Sequence, residues 1–342
     1  MKEIRTEDAV GHVLCHDITQ IIKDEKKGVL FKKGHIVREE DIPALLSVGK
    51  EHLYVWEKQE GILHENEAAE ILYTISADEH MHGSDIKEGK IELIADCDGV
   101  LKIRRDALLA VNRLGEMMIA SRHGDFPVKK GDKIAGTRII PLVIEKSKMD
   151  RAVEAAGSEP IFSILPYHAK KVGIVTTGSE VQKGLIKDTF TPVLTEKLSE
   201  FSCQIIGQTM PGDERTQITS DILKFIDDGA DMVICSGGMS VDPDDRTPGA
   251  IKDTGTEIVT YGAPVLPGAM LLLSYYRQND KIIPILGLPG CVMYAKRTVF
   301  DLILPRIMAD DPILAEEIAS YGEGGLCLNC NICTFPNCGF GK

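Results

Sequence analysis

Between Met232 and Ala250 a short apolar run, Met232 to Cys235, gives way to Ser236, Gly237 and Gly238, and three carboxylates follow closely, Asp242, Asp244 and Asp245. Similar glycine turns recur at Thr176–Thr177–Gly178–Ser179–Glu180 and at Gly287–Leu288–Pro289–Gly290. Glycine lets backbone N–H groups come close to a ligand, and a Ser or Thr beside it can cap the next helix and bind a phosphate oxygen. Gly178, Gly237, Gly238, Gly287 and Gly290 therefore suit an anion. The carboxylates Glu180, Asp188, Asp213, Asp242, Asp244 and Asp245 would repel it unless a hard divalent cation lay between, and Mg²⁺ is the usual bridge between carboxylates and phosphates. The chemistry implied is a metal-assisted phosphate reaction. No Gly-Lys-Ser/Thr of a Walker A loop and no G-x-G-x-x-G dinucleotide fingerprint is present. The alternative for Asp242–Asp245 is a Pro-stiffened solvated turn with an Asp capping the helix after Thr247.

The elements that must position these turns alternate from His168 onward. "KKVGIVTT", "CQIIGQT", "ADMVICS", "AMLLLSYY" and "KIIPILGL" read as strands or strand–helix units, with amphipathic helices at "PVLTEKLSEF" and "QITSDILKFIDD". Strands separated by helices of this length predict a doubly wound, mainly parallel α/β sheet, whose ligands sit outside the carboxyl ends of the strands. The glycine turns follow strand ends and should converge on one rim. At 342 residues the chain exceeds one ordinary core. Punctuation divides it into a small α/β unit at 1–60, a connector and β-rich domain at 61–166, the α/β domain at 167–314, and a glycine hinge with a cysteine-rich tail at 320–342. Within the second stretch, Glu57 to His82 reads as a helical connector and one helix is expected near Leu108 to Leu114.

Composition narrows the function classes. The hydrophobic share of 43% and charged share of 27% are ordinary for a globular protein, and no apolar run is long enough for a membrane span. A net charge of −13 argues against a nucleic-acid or anionic-membrane surface, since both need a basic footprint. The first residues lack a signal-peptide core, so the expected location is the cytoplasm.

The ordered set "TTGSEV", then Gly184, Ile186 and Asp188, "PGDE", "SGGMSV" with Asp245 and Thr247, "LPG" at Leu266 to Gly268, and "GLPG" resembles the molybdopterin-binding domain. That domain is shared by molybdopterin molybdenumtransferases and molybdopterin adenylyltransferases, and the β-rich part before it, including "GDKIAGTRIIPLVI", is similar to the extra domains of the molybdenumtransferases. The resemblance covers about residues 168 to 310. It implies a pterin dithiolene phosphate as small-molecule ligand, adenylylated, with molybdate (or tungstate) and Mg²⁺ in the insertion step and AMP released. Pterin-binding positions would be Thr177, Gly178, Ser179, Glu180, Ser236, Gly237, Gly238, Ser240, Pro267, Gly268, Gly287, Pro289 and Gly290. Asp245, with Asp188 and Asp213, would be catalytic, and Asp242, Asp244 and Asp245 would face Mg²⁺. A homodimer is what the resemblance implies for assembly. The sequence departs from the family pattern where Phe190 replaces an Asn, where Leu266 and Ala269 replace lysines, and where Cys291–Val292–Met293 follows "GLPG". A non-catalytic cofactor carrier or redox sensor is therefore the second reading.

Five of the nine cysteines are scattered, and four, Cys327, Cys330, Cys333 and Cys338, crowd into the last sixteen residues as C-x₂-C-x₂-C-x₄-C. In a cytosolic chain this points to a metal rather than to disulfides. Iron–sulfur ligation and zinc both remain open at this stage, as does a reduced tail without metal. The tail would report redox state or dock a molybdoenzyme or cofactor-biosynthesis partner.

Overall fold

The computed structural model describes residues 2–22, 26–55 and 60–342. Two compact units form, the first from 1–95, 104–122 and 133–163, the second from 96–103, 123–132 and 164–342. Among the described residues no helix is long and apolar enough to cross a membrane.

The first unit is built from short antiparallel pieces. Lys2–Arg5 pairs with His52–Val55 and Ile18–Ile22 with Lys26–Phe31, beside a small core of Leu14, Ile18, Val37, Leu45 and Leu53. A four-stranded sheet orders Met81–Gly83, Lys90–Ala95, Lys133–Ile139 and Met117–Ser121. Of the expected connector, residues 57–59 lie outside the described residues. The rest differs from a continuous helix: Ile62–His64 is a strand, the helix is confined to Glu65–Thr74, and Met81 begins another strand. A capping box sets that helix start, since the His64 ring accepts from the Asn66 N–H at 3.2 Å and the His64 N–H donates to Glu67 Oε2 at 2.9 Å. The helix expected near Leu108 to Leu114 spans Arg105–Asn112.

The second unit contains the α/β sheet. Its strands are β1 (Lys171–Thr176), β2 (Gln204–Thr209), β3 (Met232–Ser236), β4 (Glu257–Tyr261), β5 (Leu272–Gln278) and β6 (Lys281–Leu288). Their order is β2-β1-β3-β6-β5-β4. The first four of these are parallel; β5 runs antiparallel to both β6 and β4. Only the two residues Asn279 and Asp280 join β5 to β6, too few for a crossover, so this pair is a hairpin and not a strand–helix unit. The helices are α1 (Ser179–Gln182), α2 (Phe190–Ser199), α3 (Arg215–Asp227), α4 (Thr247–Asp253), α5 (Val299–Met308) and α6 (Ala315–Ser320).

Alternation along the strands builds two cores. Val172 and Ile174 of β1 and Ile234 of β3 pack with Leu194 and Leu198 of α2 and with α5, whereas Val175, Val233 and Cys235 pack with Ile218, Ile222 and Phe225 of α3 and Ala250 and Ile251 of α4. Burial on both faces is why these strands read as unbroken apolar runs. Gly173 lets α3 approach: a Cβ there would lie 2.4 Å from the Phe225 ring.

Candidate functional site

The strand order reverses between β1 and β3, so the crevice that receives ligands in such sheets opens where Thr176 and Ser236 end. The two turns there are tied together. The Thr177 N–H donates to the Ser236 carbonyl at 2.8 Å, and the Thr177 and Thr247 hydroxyls lie 3.0 Å apart. The Thr247 hydroxyl donates in turn to the Gly237 carbonyl at 2.9 Å, fixing the first residue of α4 beneath the glycine pair. Gly237 and Gly238 have φ of +88° and +55°, and a Cβ at Gly237 would stand 2.5 Å from the Thr177 carbonyl oxygen. No other residue fits this path. The Ser236 hydroxyl, at the end of β3, is fully buried and has no hydrogen-bond partner among the described residues, an arrangement that costs free energy unless a water supplies one.

Two neighbouring carboxylates organise the loops after β1. Asp213 accepts both the N–H of Ser179 at 2.8 Å and its hydroxyl at 2.5 Å, and the Gly178 N–H reaches the Gly212 carbonyl at 3.4 Å. The exit of β1 is thereby joined to the exit of β2. Asp188 accepts from the N–H groups of Phe190 at 2.8 Å and Thr191 at 3.2 Å, the first turn of α2, and from Gln208 Nε2 at 2.7 Å. Burial pushes its carboxyl up, but the hydrogen bonds from Thr191, Gln208 and Phe190 outweigh that and hold it below the ordinary value. Gln208, which also donates to Thr176 and Thr191, was not foreseen from sequence; a lone amide near a strand end is its only local signal.

The acidic loop closes on itself. The Asp245 N–H donates to the Asp242 carbonyl at 2.9 Å, and the Asp242 N–H to Asp245 Oδ2 at 3.2 Å, so neither aspartate supplies a side-chain cap to α4. Asp244, Ser240 and Glu180 are exposed. The Tyr261 hydroxyl, from β4, donates to the Met239 carbonyl at 3.0 Å, and its phenol is pushed up by burial and then by the Asp245 charge. Among the described residues, no three His, Cys, Asp or Glu side chains stand together so as to hold one metal ion. The expected Mg²⁺ set Asp242, Asp244 and Asp245 is thus not a protein-only cage, and the Asp245 carboxylate already accepts the Asp242 N–H.

Several expected ligand glycines have packing roles. The space of a side chain at Gly287 holds the Met239 methyl, 2.5 Å from an added Cβ, and that at Gly268 holds Val299, also at 2.5 Å. Gly290 faces open space after the buried Pro289, and Pro267 is half-buried. The structure therefore gathers Thr177, Ser236, Gly237 and Gly238 with Thr247 at the crevice, and it commits Gly268 and Gly287 to contacts within the fold. Cys327 and Cys338 are half-buried, and Cys330 and Cys333 are exposed.

Residues 173–309 match the family described as a probable molybdopterin binding domain. The matched residues lie within the second unit and hold its α/β sheet. Residues 3–57 match a domain of unknown function. A molybdopterin molybdenumtransferase of Synechococcus elongatus is 24% identical over 182 residues, 51% of this chain and 42% of that protein. A CinA-like protein of Mycolicibacterium gilvum is 35% identical over 77 residues, 22% of this chain and 18% of that protein. The chain thus spans less than half the length of either curated relative. Among solved structures, the tungsten cofactor synthesizing protein MoaB from Pyrococcus furiosus is similar at 20% identity and a TM-score of 0.32, over 36% of this chain and 84% of that one. Within the matched residues, the turns "TTGSE" and "SGGMS" stand on either side of the reversal in strand order.

Proposed function

We propose that the chain acts in molybdenum cofactor biosynthesis, inserting molybdate (or tungstate) into adenylylated molybdopterin with release of AMP. The observation that carries this is the reversal of strand order between β1 and β3, bordered by two glycine turns that are tied together, within a matched probable molybdopterin-binding domain. The backbone N–H groups of the turn at 237–240 bind phosphate oxygens, and the turn at 177–179, whose own N–H groups are held by Ser236, Gly212 and Asp213, supports it from the side of β1. Water cleaves the pyrophosphate linkage, AMP leaves, and the pterin keeps its phosphate as its dithiolene takes the metal. A phosphate-borne Mg²⁺ would need only one or two protein carboxylates, and Asp245, with Asp242 beside it, is placed on the loop to provide them; the ion would neutralise charge on the phosphates. Asp213 and Asp188 act by holding the loops rather than by touching the reacting atoms. The location is cytoplasmic and the assembly a homodimer on this reading.

A non-catalytic carrier is the second reading, favoured by the replacement of the family's lysines with Leu266 and Ala269 and by the lack of a three-carboxylate metal group among the described residues. One experiment separates the two. Adenylylated molybdopterin is incubated with molybdate and Mg²⁺, AMP is quantified, and affinity is measured by calorimetry. AMP release that slows about 10²-fold in Asp245→Asn, with affinity nearly unchanged, is expected. Tight binding without any AMP from the wild type would replace the enzyme with the carrier.

A further inference from the structure

The four C-terminal cysteines share one cavity. A space of about 240 Å³ in the second unit is lined by Cys327, Cys330, Cys333 and Cys338, with Arg297 and Phe335 in its wall. These thiols come from one short irregular segment, and that segment is not free. The Leu266 N–H donates to the Gly325 carbonyl and the Cys327 N–H to the Leu266 carbonyl, both at 2.8 Å, a bridge between the tail and the loop before Gly268. Lys296 Nζ fastens the middle of the segment, donating to the carbonyls of Cys330 at 3.2 Å and Asn331 at 2.9 Å.

Ligand spacing decides which inorganic group the cavity fits. A tetrahedral zinc with Zn–S bonds of about 2.3 Å draws its four sulfurs to within about 4 Å of one another and leaves no cavity between them. Here all four cysteines line one space, and among the described residues no three of them form a group that could hold a single ion. A cluster in which each thiolate binds a different iron has that requirement: the sulfurs surround a volume instead of a point. The C-x₂-C-x₂-C spacing agrees with it.

Charge and wall chemistry agree as well. Four thiolates around a cluster leave a net negative charge, which cations and hydrogen-bond donors beside the sulfurs stabilise. Arg297 is held by Asp301 at 2.8 Å, lies 5.1 Å over the Phe335 ring and hydrogen-bonds Cys333. The remaining wall is mostly apolar, from Leu326, Phe335 and Phe340, and such a wall limits solvent access to a cluster.

We propose that Cys327, Cys330, Cys333 and Cys338 ligate a four-iron, four-sulfide cluster, with Arg297 as the cation beside it. Each thiol gives up its proton and its sulfur binds one iron; two ferrous and two ferric ions with four sulfides make the 2+ core, so assembly from that mixture needs no further oxidant. The site stands independently of the pterin chemistry, because none of its ligands belongs to the crevice between β1 and β3.

The full chain is purified without oxygen, reconstituted with equal amounts of ferrous and ferric iron and with sulfide, and assayed for iron, acid-labile sulfide and Mössbauer spectrum. About four iron and four sulfide per chain with a cubane spectrum are expected. Cys330→Ser and Cys333→Ser, at exposed positions, should cut bound iron at least several-fold while the metal-free proteins melt with the metal-free wild type; Arg297→Gln should keep the iron content and shift the reduction potential. One zinc per chain without sulfide, a two-iron spectrum, or iron retained in both serine variants would overturn the assignment.

Discussion

Ser179 donates both its backbone N–H and its hydroxyl to Asp213 Oδ2, at 2.8 and 2.5 Å, and so clamps the turn after β1 to the turn after β2. Both elements bear on the crevice, since Thr177 and Gly178 directly precede this serine. Asp213→Ala removes the acceptor and leaves two donors without it. With the carboxylate partly exposed, the expected loss is about 1–2 kcal/mol of unfolding free energy in urea. Affinity for a pterin phosphate should fall with it. A variant with wild-type stability and affinity would show that the clamp organises nothing.

Thr247 offers a sharper test, because it is fully buried and its hydroxyl bridges Thr177 and the Gly237 carbonyl. Thr247→Val keeps the bulk and deletes the hydroxyl, at an expected cost of about 1–3 kcal/mol. Thr247→Ser retains the hydrogen bonds and should recover most of that difference. If the serine variant is as unstable as the valine one, methyl packing and not the bridge is what matters.

Acid stability should carry the signature of Asp188. Its folded carboxyl sits below the ordinary value, so its contribution is complete above the unfolded pKa of about 4 and is lost as pH falls through the lower folded one. Denaturation midpoints taken from about pH 6 down to pH 3 should therefore converge for wild type and Asp188→Asn at the acid end. A gap between the two that stays constant across the range would remove Asp188 as an acid-labile anchor of α2.

How much of this was legible in sequence depends on the range over which each feature acts. The order of strands, turns and helices after His168 shows in local periodicity, and the turns at Gly178 and Gly237–Gly238 follow from residue type beside strand ends. What no local pattern contains is which glycines make room for a neighbour in the fold. Gly287 makes room for Met239 and Gly268 for Val299, and both partners are remote in sequence. The carboxylates are alike in this: Asp213 is engaged by Ser179 and Asp245 by the Asp242 N–H, and only the folded loops show which acids serve the backbone. Gln208 acquires its role because β2 lies beside β1, a pairing that no local pattern contains.

The tail provides the last prediction. Its aromatic residues enter the main core: Phe340 is 4% exposed among buried core residues, its ring centroid lies 6.2 Å from that of Phe335, and Phe335 lies 6.1 Å from Phe126. The glycines read as a hinge are enclosed as well, since a Cβ at Gly325 would stand 2.3 Å from the carbonyl oxygens of Pro264 and Tyr321, and the Gly341 N–H bonds the Gly324 carbonyl at 2.9 Å. Phe340→Ala should therefore cost about 3 kcal/mol, a fall of roughly 6–12 °C in the melting temperature of a unit this size. Truncation after Tyr321 should cost more, because it uncovers Phe126 and the α5 face that Phe340 and Gly341 cover. Both are measured on metal-free protein by calorimetry, so that loss of an inorganic ligand does not contribute. A truncated chain that melts at the wild-type temperature would show instead that the tail is an appended module whose packing adds nothing to the core.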